Sequence, residues 1–322
     1  MKSKVFITKV LAKPIIEELQ KNFEIRYNNS ENQLNSADLV EGVKWADFLF
    51  CQLSDKIDKT IIQANPNLKG IINYAVGYNN IDVGWASKNN IPVCNTPEVL
   101  TETTADLVWA LIFAVSRRIV ESDKFVREGN FAGWGSILKM GNDIFGKTLG
   151  IVGAGRIGQA VAKRASGFNM NILYYNRSEK AEMERIGAKK EMLGELLKQS
   201  DIVSINLPLT LDTKHLFDKE EFELMKNNAI LINTARGEII NEIELVKALE
   251  TNKIFGAGLD VYENEPTIET KLLTMDNVVL LPHIGSASIE TRLKMGTLCI
   301  ESIKKLADNK IPKNVVNDVI RS

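Results

Sequence analysis

The sequence predicts an α/β protein built from two domains, each with a doubly wound parallel sheet. Three observations lead to this prediction. Short apolar segments of strand length alternate with helical patterns along nearly the whole chain. One of these segments runs into a glycine-rich turn and then into a helix. The 322 residues are enough for two cores of ordinary size.

The glycine-rich turn is the element around which the second domain is predicted. Residues 149–158 read LGIVGAGRIG, in which Gly153, Gly155 and Gly158 have the spacing of a dinucleotide-binding turn. In such a turn the first glycine permits a tight bend, the second lets the backbone approach a pyrophosphate, and the third allows close helix packing. The motif sits in a complete βαβ unit, with a strand at 147–152, a helix at 157–165 and a second strand at 172–175. A Rossmann-type domain is therefore predicted.

The first hundred residues predict a smaller α/β domain of the Rossmann or flavodoxin-like type. Its strand candidates lie at 5–7, 23–26, 48–50, 70–72 and Val93. The loop at 73–82, NYAVGYNNID, has two interpretations. Gly77 and its neighbours would expose successive backbone N–H groups as an anion-binding nest, or the loop is a surface turn capped by Asn79 and Asn80.

Two long helices are predicted to join the domains. Residues 101–118 begin with threonines that suit a helix start, continue as an apolar run and end in two arginines. Residues 288–308 carry apolar side chains near one face, which is buried if the helix returns to the first domain. This assignment gives residues 1–100 and 288–322 to the first domain and residues 101–287 to the dinucleotide-binding domain.

The dinucleotide-binding domain is predicted to have six strands, because candidates at 201–205, 229–232, 255–259 and 278–281 follow the first two. Before the glycine turn, residues 128–146 contain five glycines around Phe131, Trp134 and Ile137. We expect this segment to be ordered without a core of its own. It packs either on its own chain or on a partner subunit, and a homodimer is expected.

Composition and charge exclude several classes of partner. Forty basic and 41 acidic residues leave a net charge of −1, which gives no electrostatic support for binding nucleic acid or a membrane surface. No apolar run approaches the roughly 20 residues that span a bilayer, and polar residues interrupt the N-terminal segment too early for a signal peptide. Because Cys51, Cys94 and Cys299 are separated and odd in number, we expect free thiols, no metal site and a cytoplasmic location.

Three later segments each place a polar residue near the carboxyl end of a predicted strand. They read NTARGE with Arg236, LDVYENEP with Glu265, and LPHIGS with His283. Each residue has an ordinary structural explanation: a solvated loop arginine, a turn residue before a proline, a histidine satisfied by hydrogen bonds. Open parallel sheets bind ligands at the carboxyl ends of their strands, so the three together predict a site.

The cofactor is predicted from the end of the second strand of the βαβ unit. Asn176 occupies the position, about 20 residues beyond the glycines, where an acid accepts hydrogen bonds from the adenosine ribose. A neutral asparagine does not repel a 2′-phosphate, and Arg177 and Ser178 supply donors to it. Charge-assisted hydrogen bonds contribute roughly 1.5–3 kcal/mol each. We therefore predict NADP(H) as the preferred cofactor, with NAD(H) as the alternative.

The sequence resembles the D-isomer-specific 2-hydroxyacid dehydrogenase family over nearly its whole length. The motifs that carry the resemblance are, in order, VGYNNID, TETTADL, GKTLGIVGAGRIGQAVA, NLPLT, NTARGEIIN, GLDVYENEP and LPHIGSAS. Among the branches it is most similar to the glyoxylate/hydroxypyruvate reductases, in which a non-acidic residue at the Asn176 position accompanies use of NADPH. The resemblance implies an enzyme that reduces a small 2-keto acid to the D-2-hydroxy acid.

The resemblance also implies a role for each catalytic residue, in a site between the two domains. Arg236 would bind the substrate carboxylate and polarise the keto oxygen, and the backbone N–H groups of Val76 and Gly77 would complete the carboxylate site. His283, protonated, would donate to the developing alkoxide. Glu265 would hydrogen-bond the other ring nitrogen and stabilise the imidazolium.

Cofactor contacts are implied in the same way, with Asp260 orienting the nicotinamide amide or, alternatively, capping a strand end. The other histidine, His215, is predicted at a helix end without a catalytic role. The implied cofactor contacts are Thr104, Gly153, Gly155, Arg156, Ile157, Gly158, Asn176, Arg177, Ser178, Pro208, Thr213, Thr234, Arg236, Asp260, His283 and Gly285.

Two competing interpretations remain. One is a D-3-phosphoglycerate dehydrogenase-type enzyme; the end of the sequence at Ser322 leaves no room for the regulatory domain that such enzymes often carry. The other is an NAD(H)-sensing, corepressor-like binding protein, which would bind the cofactor tightly and turn over 2-keto acids slightly. The absence of polar interaction tails favours an enzyme.

Overall fold

The computed structural model describes residues 2–319. The chain divides into two compact units, residues 1–100 with 287–322 and residues 101–286, hereafter the first and second units. Each unit contains one parallel β-sheet with helices in its connections, so the predicted α/β class with two sheets is confirmed.

The first unit has a five-stranded parallel sheet with strand order β2-β1-β3-β4-β5. Its strands are β1 (Lys4–Ile7), β2 (Glu24–Tyr27), β3 (Phe48–Cys51), β4 (Gly70–Asn73) and β5 (Val93–Cys94). Its helices are α1 (Lys13–Asn22), α2 (Ser36–Trp45), α3 (Lys59–Gln63), α4 (Val83–Lys88) and α12 (Ile289–Ala307). Every residue of β3 and β4 is buried, as expected for central strands covered on both faces.

The second unit has a seven-stranded parallel sheet with strand order β12-β11-β10-β9-β6-β7-β8. Its strands are β6 (Thr148–Val152), β7 (Asn171–Tyr175), β8 (Lys189–Lys190), β9 (Ile202–Ile205), β10 (Ile230–Asn233), β11 (Gly256–Leu259) and β12 (Val278–Leu280). Its helices are α5 (Thr101–Ser116), α6 (Ile119–Arg127), α7 (Arg156–Ala165), α8 (Ala181–Arg185), α9 (Leu193–Gln199), α10 (Lys219–Leu224) and α11 (Glu242–Glu250). The strand order reverses between β6 and β9, which is where doubly wound sheets bind ligands.

The prediction of six strands in the second unit is wrong by one. The additional strand, β8, is two exposed lysines that pair with β7 at the sheet edge. Short, charged strands protect a sheet edge from pairing with other chains. Such a strand has neither apolar residues nor alternation, so the sequence pattern did not reveal it.

The two long helices begin and end close to the predicted residues. α5 ends at Ser116 rather than at Arg118, because Arg118 has a left-handed backbone with φ of 52°. α12 is capped by Ser288, whose side chain accepts a hydrogen bond from the N–H of Thr291 at 3.2 Å. Within residues 2–319, no helix is both long and apolar enough to cross a bilayer.

Residues 128–146 contain neither helix nor strand and are held to the second unit near their end. Lys139 forms an ion pair with Glu121, and the N–H of Asn142 donates to the Ser116 carbonyl at 2.8 Å. Between the start of the segment and these contacts, Trp134 is 89% exposed and Ile137 is 81% exposed. The segment therefore presents apolar side chains outward from an anchored base.

We expect that Leu111→Ala destabilises the second unit by about 3 kcal/mol, since a buried leucine leaves a cavity that its neighbours fill only in part. Leu111 is buried in α5 against β11, where a Cβ on Gly258 would lie 3.1 Å from the Cβ of Leu111. Urea unfolding measures the change. Leu211→Ala is the matched control, because Leu211 is 97% exposed. Equal midpoints for the two variants would contradict the packing described.

Candidate active site

The carboxyl ends of the strands in the second unit bring most of the predicted site residues to one rim of the sheet. Each strand there is parallel to its neighbours, so the residues that follow the strands share an edge. The glycine turn follows β6, and Asn176 follows β7. The residues that follow the other strands are Pro208 after β9, Thr234 and Arg236 after β10, Asp260 after β11, and His283 after β12.

The geometry of the glycine turn fits the three roles expected of a dinucleotide site. Gly153 has φ of +102°, and a Cβ there would lie 2.7 Å from the carbonyl of Asn206. A Cβ on Gly158 would lie 2.1 Å from the carbonyl oxygen of Gly153, so the helix packs directly on the turn. A Cβ on Gly155 would meet nothing within 4 Å, so this backbone borders open space. The turn can therefore receive a pyrophosphate next to Gly155.

The start of α7 supplies the other part of a phosphate site. Gly155 caps the helix, and Arg156 and Ile157 are its first two residues. The N–H groups of a first helical turn have no partner within the helix and carry the positive end of the helix dipole. The residues present therefore fit a bound dinucleotide phosphate.

Asn176 shapes the turn that follows β7. Its Oδ1 accepts a hydrogen bond from the N–H of Ala154 at 3.3 Å, and its Nδ2 donates to the carbonyl of Ser178 at 2.8 Å. Arg177 and Ser178 are exposed beside it. Within residues 2–319, Arg177 forms no ion pair. Its guanidinium thus remains available to an anion.

His283 and Glu265 form a hydrogen-bonded pair at the same rim. The Nδ1 atom of His283 lies 2.9 Å from Oε2 of Glu265, and the other Glu265 oxygen accepts from the N–H of Tyr262 at 3.0 Å. Burial alone would raise the pKa of Glu265. Three groups favour the charged form and outweigh burial: the hydrogen-bonded His283, the N–H of Tyr262 and the positive charge of Arg236. The pKa of Glu265 therefore lies below its ordinary value. Glu265 is therefore a carboxylate at neutral pH.

Asp260 holds the loop that carries His283. Its Oδ1 accepts from the N–H of Ile284 and its Oδ2 from the N–H of Gly285, both at 2.7 Å. The side chain is fully buried, and burial raises its pKa although the two bonds favour the charged form. A Cβ on Gly285 would lie 3.3 Å from Asp260 and 3.5 Å from Thr104. Three of the predicted cofactor residues, Thr104, Asp260 and Gly285, thus lie together. The contact of Asp260 with a nicotinamide amide stays a prediction.

Arg236 lies in a loop shaped by a buried amide that the sequence did not single out. Asn233, at the end of β10, accepts from the N–H of Ala235 at 3.0 Å and donates to the carbonyl of Arg236 at 2.9 Å. Burial lowers the pKa of Arg236, while the charges of Glu265 and Glu238 act against this. The ordinary pKa of an arginine lies so far above 7 that the guanidinium of Arg236 stays a cation despite this.

The loops of Arg236 and Glu265 are in direct backbone contact. A Cβ on Gly237 would lie 1.8 Å from the carbonyl carbon of Tyr262 and 2.3 Å from the nitrogen of Glu263. Glu242 adds a second link, because its Oε1 accepts from the N–H of Glu263 at 2.8 Å. Only glycine permits this approach, so Gly237 sets the spacing between the two loops.

The prediction of a helix end at His215 is wrong. Thr213 accepts a hydrogen bond from the N–H of Thr210 at 2.8 Å and donates to the carbonyl of Pro208 at 2.7 Å, which closes a turn in place of a helix. His215 follows in this turn with φ of 51°, and its Nε2 lies 2.6 Å from Oε1 of Glu263. The chain therefore has two histidine–glutamate pairs.

The first unit contains the remaining predicted residues, Val76 and Gly77. Among residues 2–319, nothing accepts a hydrogen bond from the N–H groups of these two residues. Their carbonyls do have partners, because Nδ2 of Asn95 donates to Val76 and Nδ2 of Asn73 donates to Gly77, both at 2.7 Å. The two open N–H groups favour the anion-binding interpretation of the loop.

We expect Gly237→Ala to lower the free energy of unfolding by about 2 kcal/mol, because backbone atoms of Tyr262 and Glu263 occupy the space of the added methyl group. Gly167→Ala is the control, since a Cβ at Gly167 meets nothing within 4 Å. Chemical denaturation of both variants measures the difference. Indistinguishable stabilities would show that the two loops are not packed as described.

Comparisons with known proteins identify the family of the chain. A family model described as the NAD binding domain of D-isomer specific 2-hydroxyacid dehydrogenases matches residues 109–285. A glyoxylate reductase from Thermococcus litoralis is 48% identical, over 100% of this chain and 99% of that protein. A glyoxylate reductase from Pyrococcus horikoshii is 46% identical, over 98% of this chain and 96% of that protein.

A solved structure shows the same fold over the full chain. It is an NADPH-dependent glyoxylate/hydroxypyruvate reductase from Sinorhizobium meliloti in complex with NADP and malonate, with 29% identity and a TM-score of 0.88. The match covers 100% of each chain. Together with the family model and the relatives above, this match shows that the chain is an oxidoreductase that belongs to the D-isomer specific 2-hydroxyacid dehydrogenase family.

Proposed function

We propose that this protein is a glyoxylate/hydroxypyruvate reductase that converts a small 2-keto acid to the D-2-hydroxy acid with NADPH. The observation that carries the proposal is the pairing of His283 with the ionised Glu265 at 2.9 Å, at the sheet rim that also holds Arg236. This rim combines an acid, the carboxylate that supports it and a cation. The names of the Thermococcus and Pyrococcus relatives support glyoxylate as substrate.

Substrate binding is assigned to Arg236 and to two backbone groups. The guanidinium fork of Arg236 suits bidentate recognition of a carboxylate and also polarises the adjacent keto oxygen. The open N–H groups of Val76 and Gly77 are likewise assigned to a carboxylate, because successive backbone donors suit an anion. A guanidinium that binds the carboxylate and polarises the keto oxygen selects acids in which the two groups are adjacent.

Proton transfer is assigned to His283. Its Nδ1 is bound to Glu265, so Nε2 is the atom that donates a proton to the keto oxygen as negative charge develops there. Glu265 stabilises the protonated ring and fixes its orientation. When NADPH is bound, it supplies the hydride to C2 of the acid. In the oxidation direction, Nε2 accepts the hydroxyl proton.

The preference for NADPH is assigned to the turn after β7. Asn176 carries no charge to repel a 2′-phosphate, and its side chain is engaged with Ala154 and Ser178. Arg177, exposed and without an ion pair among residues 2–319, is the cation for that phosphate. The Sinorhizobium enzyme, which is NADPH-dependent and was solved with NADP, supports this choice. NAD(H) remains the second cofactor.

A homodimer is proposed from the exposed part of residues 128–146. Apolar side chains this exposed, on a segment anchored by Glu121 and Ser116, are typical of a surface that another subunit covers. The proposed location is the cytoplasm. Cys51, Cys94 and Cys299 are buried and form no disulfide within residues 2–319, which suits a reducing compartment.

The proposed activity is tested with a panel of 2-keto acids and both reduced cofactors. We expect turnover of glyoxylate and hydroxypyruvate, followed by the loss of NADPH absorbance. His283→Gln is expected to lower kcat at least a hundredfold, because the ring that donates the proton is gone, with the Kd for NADPH retained. Tight cofactor binding without turnover in the wild type would instead indicate a sensor.

The second histidine provides a matched control for that variant. His215 also pairs with a glutamate, at 2.6 Å, but is assigned no part in the reaction. We expect His215→Gln to keep kcat within about tenfold of the wild type. Near-normal turnover in His283→Gln, or equal losses in both variants, would remove His283 from the mechanism.

For the cofactor, we expect kcat/KM with NADPH to exceed kcat/KM with NADH by about tenfold. Asn176→Asp introduces a charge that repels the 2′-phosphate and accepts from the ribose of NADH, so the ratio should fall below one. Arg177→Ala should lower the ratio without reversing it. A wild type that clearly prefers NADH would overturn the assignment.

For the dimer, we expect light scattering to give about twice the chain mass of 35.9 kDa for the wild type. Trp134→Ser combined with Ile137→Ser should shift the protein to the monomer, because each serine removes apolar area from the proposed interface. Met192→Ser, at another exposed apolar residue, is the control. A monomeric wild type would contradict the proposal.

A further inference from the structure

The loop at Ala75–Gly77 has all three of its carbonyls held by hydrogen bonds. The N–H of Thr96 donates to Ala75 at 2.9 Å, the Asn95 amide donates to Val76 at 2.7 Å, and the Asn73 amide donates to Gly77 at 2.7 Å. Asn73 and Asn95 are both buried. Within residues 2–319, the hydrogen bonds that hold the backbone of this loop therefore all go to its carbonyls.

A planar peptide joins each carbonyl to the N–H of the next residue, pointing the opposite way. A donor on the Val76 carbonyl thus fixes the direction of the Gly77 N–H. In the same way, the hydrogen bond from the N–H of Thr96 to the carbonyl of Ala75 fixes the direction of the Val76 N–H. Because glycine adds little restraint of its own, the Val76–Gly77 peptide depends on Asn95 for its orientation.

Asn95 is itself held in place by the C-terminal segment of the first unit. Its N–H donates to the carbonyl of Asn314 at 3.1 Å, and Nδ2 of Asn314 donates to the Asn95 carbonyl at 2.6 Å. The side chain of Asn314 is also bonded to Ser302 of α12, 3.0–3.1 Å away. The backbone of Asn95, from which the side-chain amide extends to Val76, is consequently fixed before any ligand arrives.

We propose that Asn95 is a positioning residue for carboxylate recognition: its amide holds the Val76–Gly77 peptide so that the Gly77 N–H faces the substrate carboxylate. Asn73 acts in the same way on the following peptide. The inference rests on the function proposed above. It adds a residue that touches neither substrate nor cofactor and that acts only through the backbone.

The experiment measures substrate binding separately from cofactor binding. In Asn95→Ala the peptide is free to rotate, so we expect the KM for glyoxylate at saturating NADPH to rise at least tenfold. The Kd of oxamate for the enzyme with NADPH, measured by calorimetry, should rise by a similar factor. The Kd of NADPH alone should stay within twofold, because the residues assigned to cofactor binding belong to the second unit.

Asn65 provides a matched control within the same unit. Its Nδ2 donates to the carbonyls of Ala46 at 2.7 Å and Val43 at 3.0 Å, so it makes the same type of bond away from the loop. Asn65→Ala should lower the thermal stability as Asn95→Ala does, without a change in KM. If Asn95→Ala does not fold, Asn95→Ser replaces it, since a serine leaves a smaller void and cannot reach Val76.

The outcomes separate this inference from the proposed function. A wild type that reduces glyoxylate, together with an unchanged KM and oxamate Kd in the Asn95 variant, would overturn the positioning role and leave the function standing. Equal rises in KM for the Asn65 and Asn95 variants would also overturn it. A wild type that neither turns over a 2-keto acid nor binds oxamate would overturn the proposed function itself.

Discussion

The carboxylate of Asp260, bound to two consecutive backbone N–H groups, is the interaction on which the site of the second unit depends. Burying a carboxylate without hydrogen-bond partners would cost several kcal/mol of folding free energy. The N–H groups of Ile284 and Gly285 are the partners that Asp260 has in the folded chain. These two residues follow His283 directly. The bond therefore fixes the backbone of His283, and the ring of His283 in turn meets Glu265. Asp260, Glu265 and His283 are thus linked through hydrogen bonds and the short backbone segment 283–285.

Buried side chains bound to the backbone give the loops of both units their shape. Asn233 orders the loop of Arg236, and Asn73 and Asn95 order the loop of Val76 and Gly77. Breaking such a bond leaves a buried donor or acceptor unsatisfied, which costs about 1–3 kcal/mol. These loops, which contain neither helix nor strand, are therefore ordered by side-chain hydrogen bonds in place of a backbone ladder.

Much of this arrangement could be predicted from sequence, because it depends on local patterns. The apolar segments and the glycine spacing indicated the βαβ unit, and the ends of the strands indicated Arg236, Glu265 and His283. The strand at Lys189–Lys190 and the turn at His215 were missed, since the first has no apolar residue and the second depends on side-chain bonds of Thr213. The partners of Asp260 were also beyond prediction, because they lie 24 and 25 residues away and only the folded sheet brings them close.

The backbone of His283 has one more consequence. Its φ of 54° is in the left-handed region, which costs a residue with a side chain roughly 1–2 kcal/mol relative to glycine. The hydrogen bond from its ring to Glu265 is of similar size and offsets this cost in the folded protein. Position 283 therefore combines a strained backbone with a side chain whose orientation is fixed by a partner, and replacing Glu265 would leave the strain without the bond that offsets it.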